Sequence, residues 1–213
     1  MIEPALWAEL DFLSGPTCFH CGFPLQEEPG AKGVCGACAV RAPAYDRARA
    51  ALAYDDHARR LILDLKRGGR RDGLPVFARW MSQAGAELIE HVDFIAPAPM
   101  HWTRLAIRSF NQAAWLAQAL SQSTGKPWRP EALRRVKRRK SQAGLSASER
   151  RRNVAGAIKA GTKLNGLNVL VVDDVFTTGA TLEACARALK RAGAAEVHGL
   201  TLARVVRPLD IHV

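Results

Sequence analysis

The segment 168–172, NVLVV, is a continuous and almost wholly apolar run, and two acids follow it directly. A strand with one face in water alternates apolar and polar residues. A run without a polar face must be covered on both sides, as a parallel strand between layers of helices is. Residues 181–192 then carry a helical pattern and 197–206 read as a second strand. Strand, helix and strand in that order predict a right-handed βαβ unit, and hence an α/β fold with a mostly parallel sheet flanked by helices. The chain has 213 residues, 48% of them hydrophobic, enough for one such core with a small appendage.

The upstream pattern supplies further elements. Residues 47–54, RARAALAY, alternate like a strand. A helix is expected from near His57, capped by Asp55 or Asp56, with Ala58, Leu61, Ile62 and Leu65 as its apolar stripe and Gly68-Gly69 as its stop. A second helix is expected over 74–91, a short buried strand over 93–96 and a helix over 111–123. Residues 1–15 contain no basic residue and lack the long apolar centre of a secretory signal. They read as a lead-in helix with Leu6, Trp7, Leu10 and Leu13 on one side. No apolar run is long enough to span a bilayer, so cytoplasmic residence is the expectation.

Four of the five cysteines form two C-x-x-C knuckles, Cys18-Phe19-His20-Cys21 and Cys35-Gly36-Ala37-Cys38, with thirteen residues between them. Four thiolates at this spacing can surround a structural zinc ion. Two disulfides are the alternative, which a reducing compartment disfavours. A small zinc-ribbon module over 1–44 would then precede the α/β unit over 45–213. Cys185, inside the last helical pattern, reads as a small buried hydrophobe.

Between the buried run and the last helix stands Asp173-Asp174-Val175-Phe176-Thr177-Thr178-Gly179-Ala180-Thr181. Backbone N–H groups at a helix start lack partners, and the helix dipole there favours an anion. Gly179 permits positive φ and close approach of a phosphate, and the hydroxyls of Thr177, Thr178 and Thr181 add donors. The two carboxylates can accept hydrogen bonds from a ribose diol. The string resembles the phosphoribosyl pyrophosphate (PRPP) fingerprint of type I phosphoribosyltransferases. That resemblance implies that Asp173 and Asp174 hold the ribose hydroxyls, that residues 177–181, Ala180 included, wrap the 5′-phosphate, and that Mg²⁺ rides on the pyrophosphate. The 6-oxopurine salvage members carry an Asp where this chain has Thr177, so hypoxanthine or guanine salvage is not expected.

For the pyrophosphate side the candidates are Pro97, Ala98 and Pro99, directly after a predicted strand, with Arg104 and Arg108 four apart on one helical face. His101 reads as a loop histidine. No catalytic residue is identifiable from the sequence. With Leu65-Lys66, Arg108-Ser109-Phe110-Asn111-Gln112, Gln142-Ala143-Gly144-Leu145-Ser146, Glu149-Arg150 and Arg152-Asn153-Val154, the whole pattern resembles the ComF family of competence-associated proteins. Ser109 stands where that family usually has Gly, and Ile158 where it has an aromatic. The resemblance implies a PRPP-binding protein acting in uptake or handling of single-stranded DNA, together with other competence or DNA-processing proteins. The alternative is an active transferase passing ribose 5-phosphate to a nitrogen acceptor. A homo-oligomer stays open.

Net charge is +11, from 31 Lys+Arg against 20 Asp+Glu, which suits an anionic partner. Much of it lies in residues 129–152, where Arg134, Arg135, Lys137, Arg138, Arg139 and Lys140 are nearly contiguous. Three uses are open: a loop closing over pyrophosphate, with Lys137 and Arg138 as its contacts; a groove for single-stranded DNA with Trp128 stacking on a base; or a solvated charge run. Replacing Lys137, Arg138, Arg139 and Lys140 together by Ser separates them. A DNA groove loses single-stranded DNA affinity, and its salt slope falls by about 0.7 per lost phosphate contact, with PRPP affinity unmoved. A closing loop loses PRPP affinity instead, and a solvated run loses neither. Titrations with each ligand at several salt concentrations read the outcome.

Overall fold

The computed structural model describes residues 9–26, 33–67, 71–100, 111–136 and 157–206. Its centre is a four-stranded, wholly parallel sheet. The strands are β1 (Arg47–Ala53), β2 (Phe94–Pro97), β5 (Val169–Phe176) and β6 (Val197–Arg204), in the spatial order β1-β6-β5-β2. A separate antiparallel pair joins β3 (Leu133–Arg135), within the basic stretch, to β4 (Ile158–Ala160), beyond its end. The helices are a short α1 (Gly36–Val40), α2 (Asp56–Arg67), α3 (Leu74–Ala84), α4 (Ala86–Ile89), α5 (Gln112–Thr124) and α6 (Ala180–Arg191).

The apolar run in β5 behaves as its composition requires. Leu170 and Val172 enter one core cluster, with Leu61, Ile62 and Leu65 of α2, Met81 of α3 and Leu116 and Leu120 of α5. Val169 and Val171 enter the cluster on the opposite face, with Cys185 and Leu189 of α6. Alternate residues of one strand therefore feed two cores, and α6 carries the chain from β5 to its parallel neighbour β6.

Several expectations are corrected in detail. The helix expected over 74–91 breaks at Gly85, where a Cβ would lie 2.7 Å from a methyl of Leu200; the sheet comes too close for a side chain there. Residues 10–13 are extended, not helical. Phe12 bridges Leu52 antiparallel, and Leu13 N–H donates to the Ala51 carbonyl at 3.0 Å. The segment covers the outer edge of β1, which would otherwise present unpaired backbone groups. Leu6 and Trp7 lie outside the described residues. On the other edge of the sheet, Ile95 of β2 accepts from Arg129 N–H and donates to the Pro127 carbonyl. Strand β5 also runs on past the apolar segment to Phe176, because its ladder with β6 continues through Asp173↔Thr201, Val175↔Ala203 and Phe176↔Arg204.

Helix α6 lies so close on β6 that a Cβ at Gly199 would run into the Leu182 side chain. Gly199→Ala should therefore cost about 1–3 kcal/mol, the usual penalty of overpacking. Urea unfolding followed by circular dichroism measures it; an unchanged midpoint would show that Leu182 moves aside freely.

Candidate functional site

The carboxyl end of β5 and the start of α6 enclose a pocket. Its walls include Asp173, Thr177, Thr178, Gly179, Ala180 and Thr181, with Ala98 from the segment after β2 and Gly199 and Thr201 from β6. Gly179 is the N-cap of α6 in the left-handed region, φ 74° and ψ 2°, and a Cβ there would lie 2.8 Å from the Phe176 ring. Only glycine fits such a turn without strain. Gly179 offers no side-chain cap to α6, and Ala180 and Thr181 of its first turn line the pocket. Thr177, Thr178, Ala180 and Thr181 are exposed there.

The two acids differ in placement. Asp173 lines the pocket, and its Oδ1 accepts from Asp174 N–H at 2.9 Å. Asp174, one residue on, is not among the pocket walls; its Oδ1 accepts from Val175 N–H at 2.8 Å. Ala98 forms a wall between Pro97 and Pro99, and its carbonyl accepts from Asn111 Nδ2 at 3.1 Å. Asn111 also caps α5 by accepting from Ala113 N–H at 3.1 Å, so it ties the end of β2 to that helix. Arg104, Arg108, His101, Lys137 and Arg138 lie outside the described residues.

Thr201 escaped sequence reasoning. It sits in an apolar strand, is 4% exposed, lines the pocket and is in register with Asp173. Its hydroxyl is buried with no hydrogen-bond partner among the described residues. The signal was a hydroxyl residue inside LTLAR, in the strand beside the acids.

The four knuckle cysteines form a second centre. Their sulfurs all lie within 4.8 Å of one another, and Cys21 and Cys35 are 3.6 Å apart. A tetrahedral ion with Zn–S bonds of about 2.3 Å needs sulfurs roughly 3.8 Å apart, so the cluster fits zinc. All four are free thiols rather than disulfides. Cys18 is desolvated, which opposes ionisation, yet backbone hydrogen bonds from Cys21, Cys35 and His20 bring it down to about 6. Burial pushes Cys21 and Cys38 up, and the neighbouring sulfur charges push them further. Full ionisation of such a set needs a cation among the sulfurs. Cys185 is a different case. Burial, with Asp173 adding to it, pushes its thiol up and leaves it unreactive.

The model of the phosphoribosyl transferase domain family matches residues 109–208, which include the pocket walls from β5, α6 and β6. Competence protein F of Haemophilus influenzae is 31% identical over 199 residues, covering 90% of this chain and 86% of that protein. The chain belongs to this ComF family. DNA utilization protein YhgH of Salmonella typhimurium, another relative, is 32% identical over 197 residues, covering 89% and 84%. Orotate phosphoribosyltransferase from Aeropyrum pernix aligns at TM-score 0.40 and 18% identity, over 73% of this ComF-family chain and 80% of that one. The fold is that of type I phosphoribosyltransferases, with a cysteine cluster able to hold a metal such as zinc near the N-terminus.

An unpartnered buried hydroxyl costs about 1–3 kcal/mol, so Thr201→Val should raise the stability of the ligand-free protein by roughly 1 kcal/mol. A lower urea midpoint for Thr201→Val would mean that the hydroxyl has a protein partner.

Proposed function

We propose that this protein binds PRPP with Mg²⁺ in the pocket at the start of α6 and uses it in the uptake or handling of single-stranded DNA. The observation that carries this reading is the joint placement of the Asp173 carboxylate, the left-handed Gly179 and the uncapped start of α6 around one pocket. The N–H groups of the first turn and the hydroxyls of Thr177, Thr178 and Thr181 take the 5′-phosphate. Asp173 and Asp174 hold the ribose diol, with the Thr201 hydroxyl gaining the partner it lacks. Pro97, Ala98 and Pro99 flank the pyrophosphate, with Arg104, Arg108, Lys137 and Arg138 supplying positive charge. A carboxylate oxygen in the pocket suits a hard cation, and Mg²⁺ would neutralise the pyrophosphate it accompanies.

The DNA assignment rests on the names of the relatives, competence protein F and DNA utilization protein, and on the net charge of +11. Among the described residues no helix is long and apolar enough to cross a membrane; we assign the cytoplasm as the compartment. We also assign residues 1–44 to the zinc-ribbon module and 45–213 to the phosphoribosyltransferase-like unit.

Isothermal titration with PRPP and Mg²⁺ tests the site. Hydrogen bonds to a charged acceptor contribute about 1.5–3 kcal/mol, so Asp173→Asn should weaken PRPP roughly tenfold or more. An unchanged affinity in the folded variant would remove the ribose from this pocket. Release of pyrophosphate with any nitrogen acceptor would convert the reading from a binding protein to a transferase.

A further inference from the structure

Arg204, the last residue of β6, is only 4% exposed. Its Nη1 donates to the carbonyl of Cys21, its guanidinium lies 5.2 Å from the Phe23 ring and 4.8 Å from the Phe176 ring, and its Nε has no partner among the described residues. Among the described residues no carboxylate pairs with it. A buried cation held only by a carbonyl and two ring faces is costly unless an anion stands nearby. The cysteine cluster supplies one, since four thiolates on a divalent ion keep a net negative charge.

The other side of Arg204 faces the phosphate loop. Phe176 is its register partner on β5, and the Phe176 ring fills the space where a Cβ on Gly179 would go. Tyr45, buried beside the cysteines, also meets the Phe176 ring edge-on at 6.2 Å. A second tie reaches the helix after the loop: Glu183, in the first turn of α6, accepts from Ala44 N–H at 2.7 Å and from Arg41 at 3.4 Å. The cysteine module therefore grips both elements that bracket residues 177–179.

We propose that Arg204 is the counter-charge of the negatively charged cluster that Cys18, Cys21, Cys35 and Cys38 form on a metal ion, and that through it the metal site sets the position of the phosphate loop. Arg204 is thus a positioning residue for both sites. The inference rests on the zinc and PRPP readings above. Metal on the sulfurs fixes the Cys21 carbonyl and Phe23; these fix Arg204, and Arg204 fixes Phe176 against Gly179. Thermodynamic coupling is reciprocal, so bound PRPP must tighten zinc by the factor by which zinc tightens PRPP.

Zinc affinity is measured on the full chain in a chromophoric zinc buffer, with magnesium in excess so that PRPP itself carries no zinc. In the wild-type protein, saturating PRPP should tighten zinc by about fivefold or more. Arg204→Met should weaken zinc about tenfold or more, as loss of an outer-sphere partner does, and should abolish the PRPP effect. Arg204→Lys keeps the charge and should restore most of the zinc affinity. A purely packing role would leave Met and Lys alike, and that result overturns the proposal. So does wild-type zinc affinity that ignores PRPP, which decides the matter even if Arg204→Met does not fold. A wild-type protein that takes no zinc sinks the metal reading and the proposal with it. One that takes zinc but no PRPP sinks the phosphate-site reading and the coupling, while leaving the metal reading intact.

Discussion

The pairing of β5 with β6 is the constraint on which the site depends. It runs in parallel register from Val169↔Val197 to Phe176↔Arg204, past the end of the apolar run. This length carries Asp173 beside Thr201 and leaves three residues, 177–179, to turn the chain into α6. A turn that short is possible because Gly179 adopts positive φ against the Phe176 ring. Both faces of the strand are covered, so shifting the register by one residue would send its buried side chains to the wrong cores.

Much of this was legible in the sequence, because the strongest signals were local. An apolar run without alternation means burial on both faces, and residues 173–181 place acids, hydroxyls and glycine where a strand meets a helix. Asp55 capping α2 through Ala58 N–H, and Asn111 capping α5, are equally local. What stayed hidden depends on distant partners. Phe12 pairs with Leu52, which lies forty residues on, and no propensity of residues 10–13 announces that. Gly85 lies inside the helix expected over 74–91, and only the Leu200 side chain packed against it shows why a side chain has no room there. The short β3 strand lies inside a basic stretch whose charges mask any periodicity, and it pairs with β4, far on in the sequence.

The cysteine cluster shares its core with the sheet. Cys18 and Cys21 are buried in the same apolar cluster as Ala48 of β1, Phe176 of β5 and Leu182 of α6. The backbone continues the contact, with Ala48 N–H donating to the His20 carbonyl. A metal in that cluster would brace the sheet face that carries the phosphate loop, rather than fold a detached appendage. Arg204, at the end of β6, lies between the Cys21 carbonyl on one side and the Phe176 ring on the other.

Amide hydrogen exchange across residues 177–181, with and without PRPP and Mg²⁺, tests the phosphate loop most directly. Gly179 gives α6 no side-chain cap and the loop residues are largely exposed, so these N–H groups should exchange readily in the free protein. A phosphate seated on them should slow their exchange selectively, while the ladder of β5 and β6, already buried, changes little. Unaltered exchange at 177–181 under saturating PRPP would contradict binding at this loop.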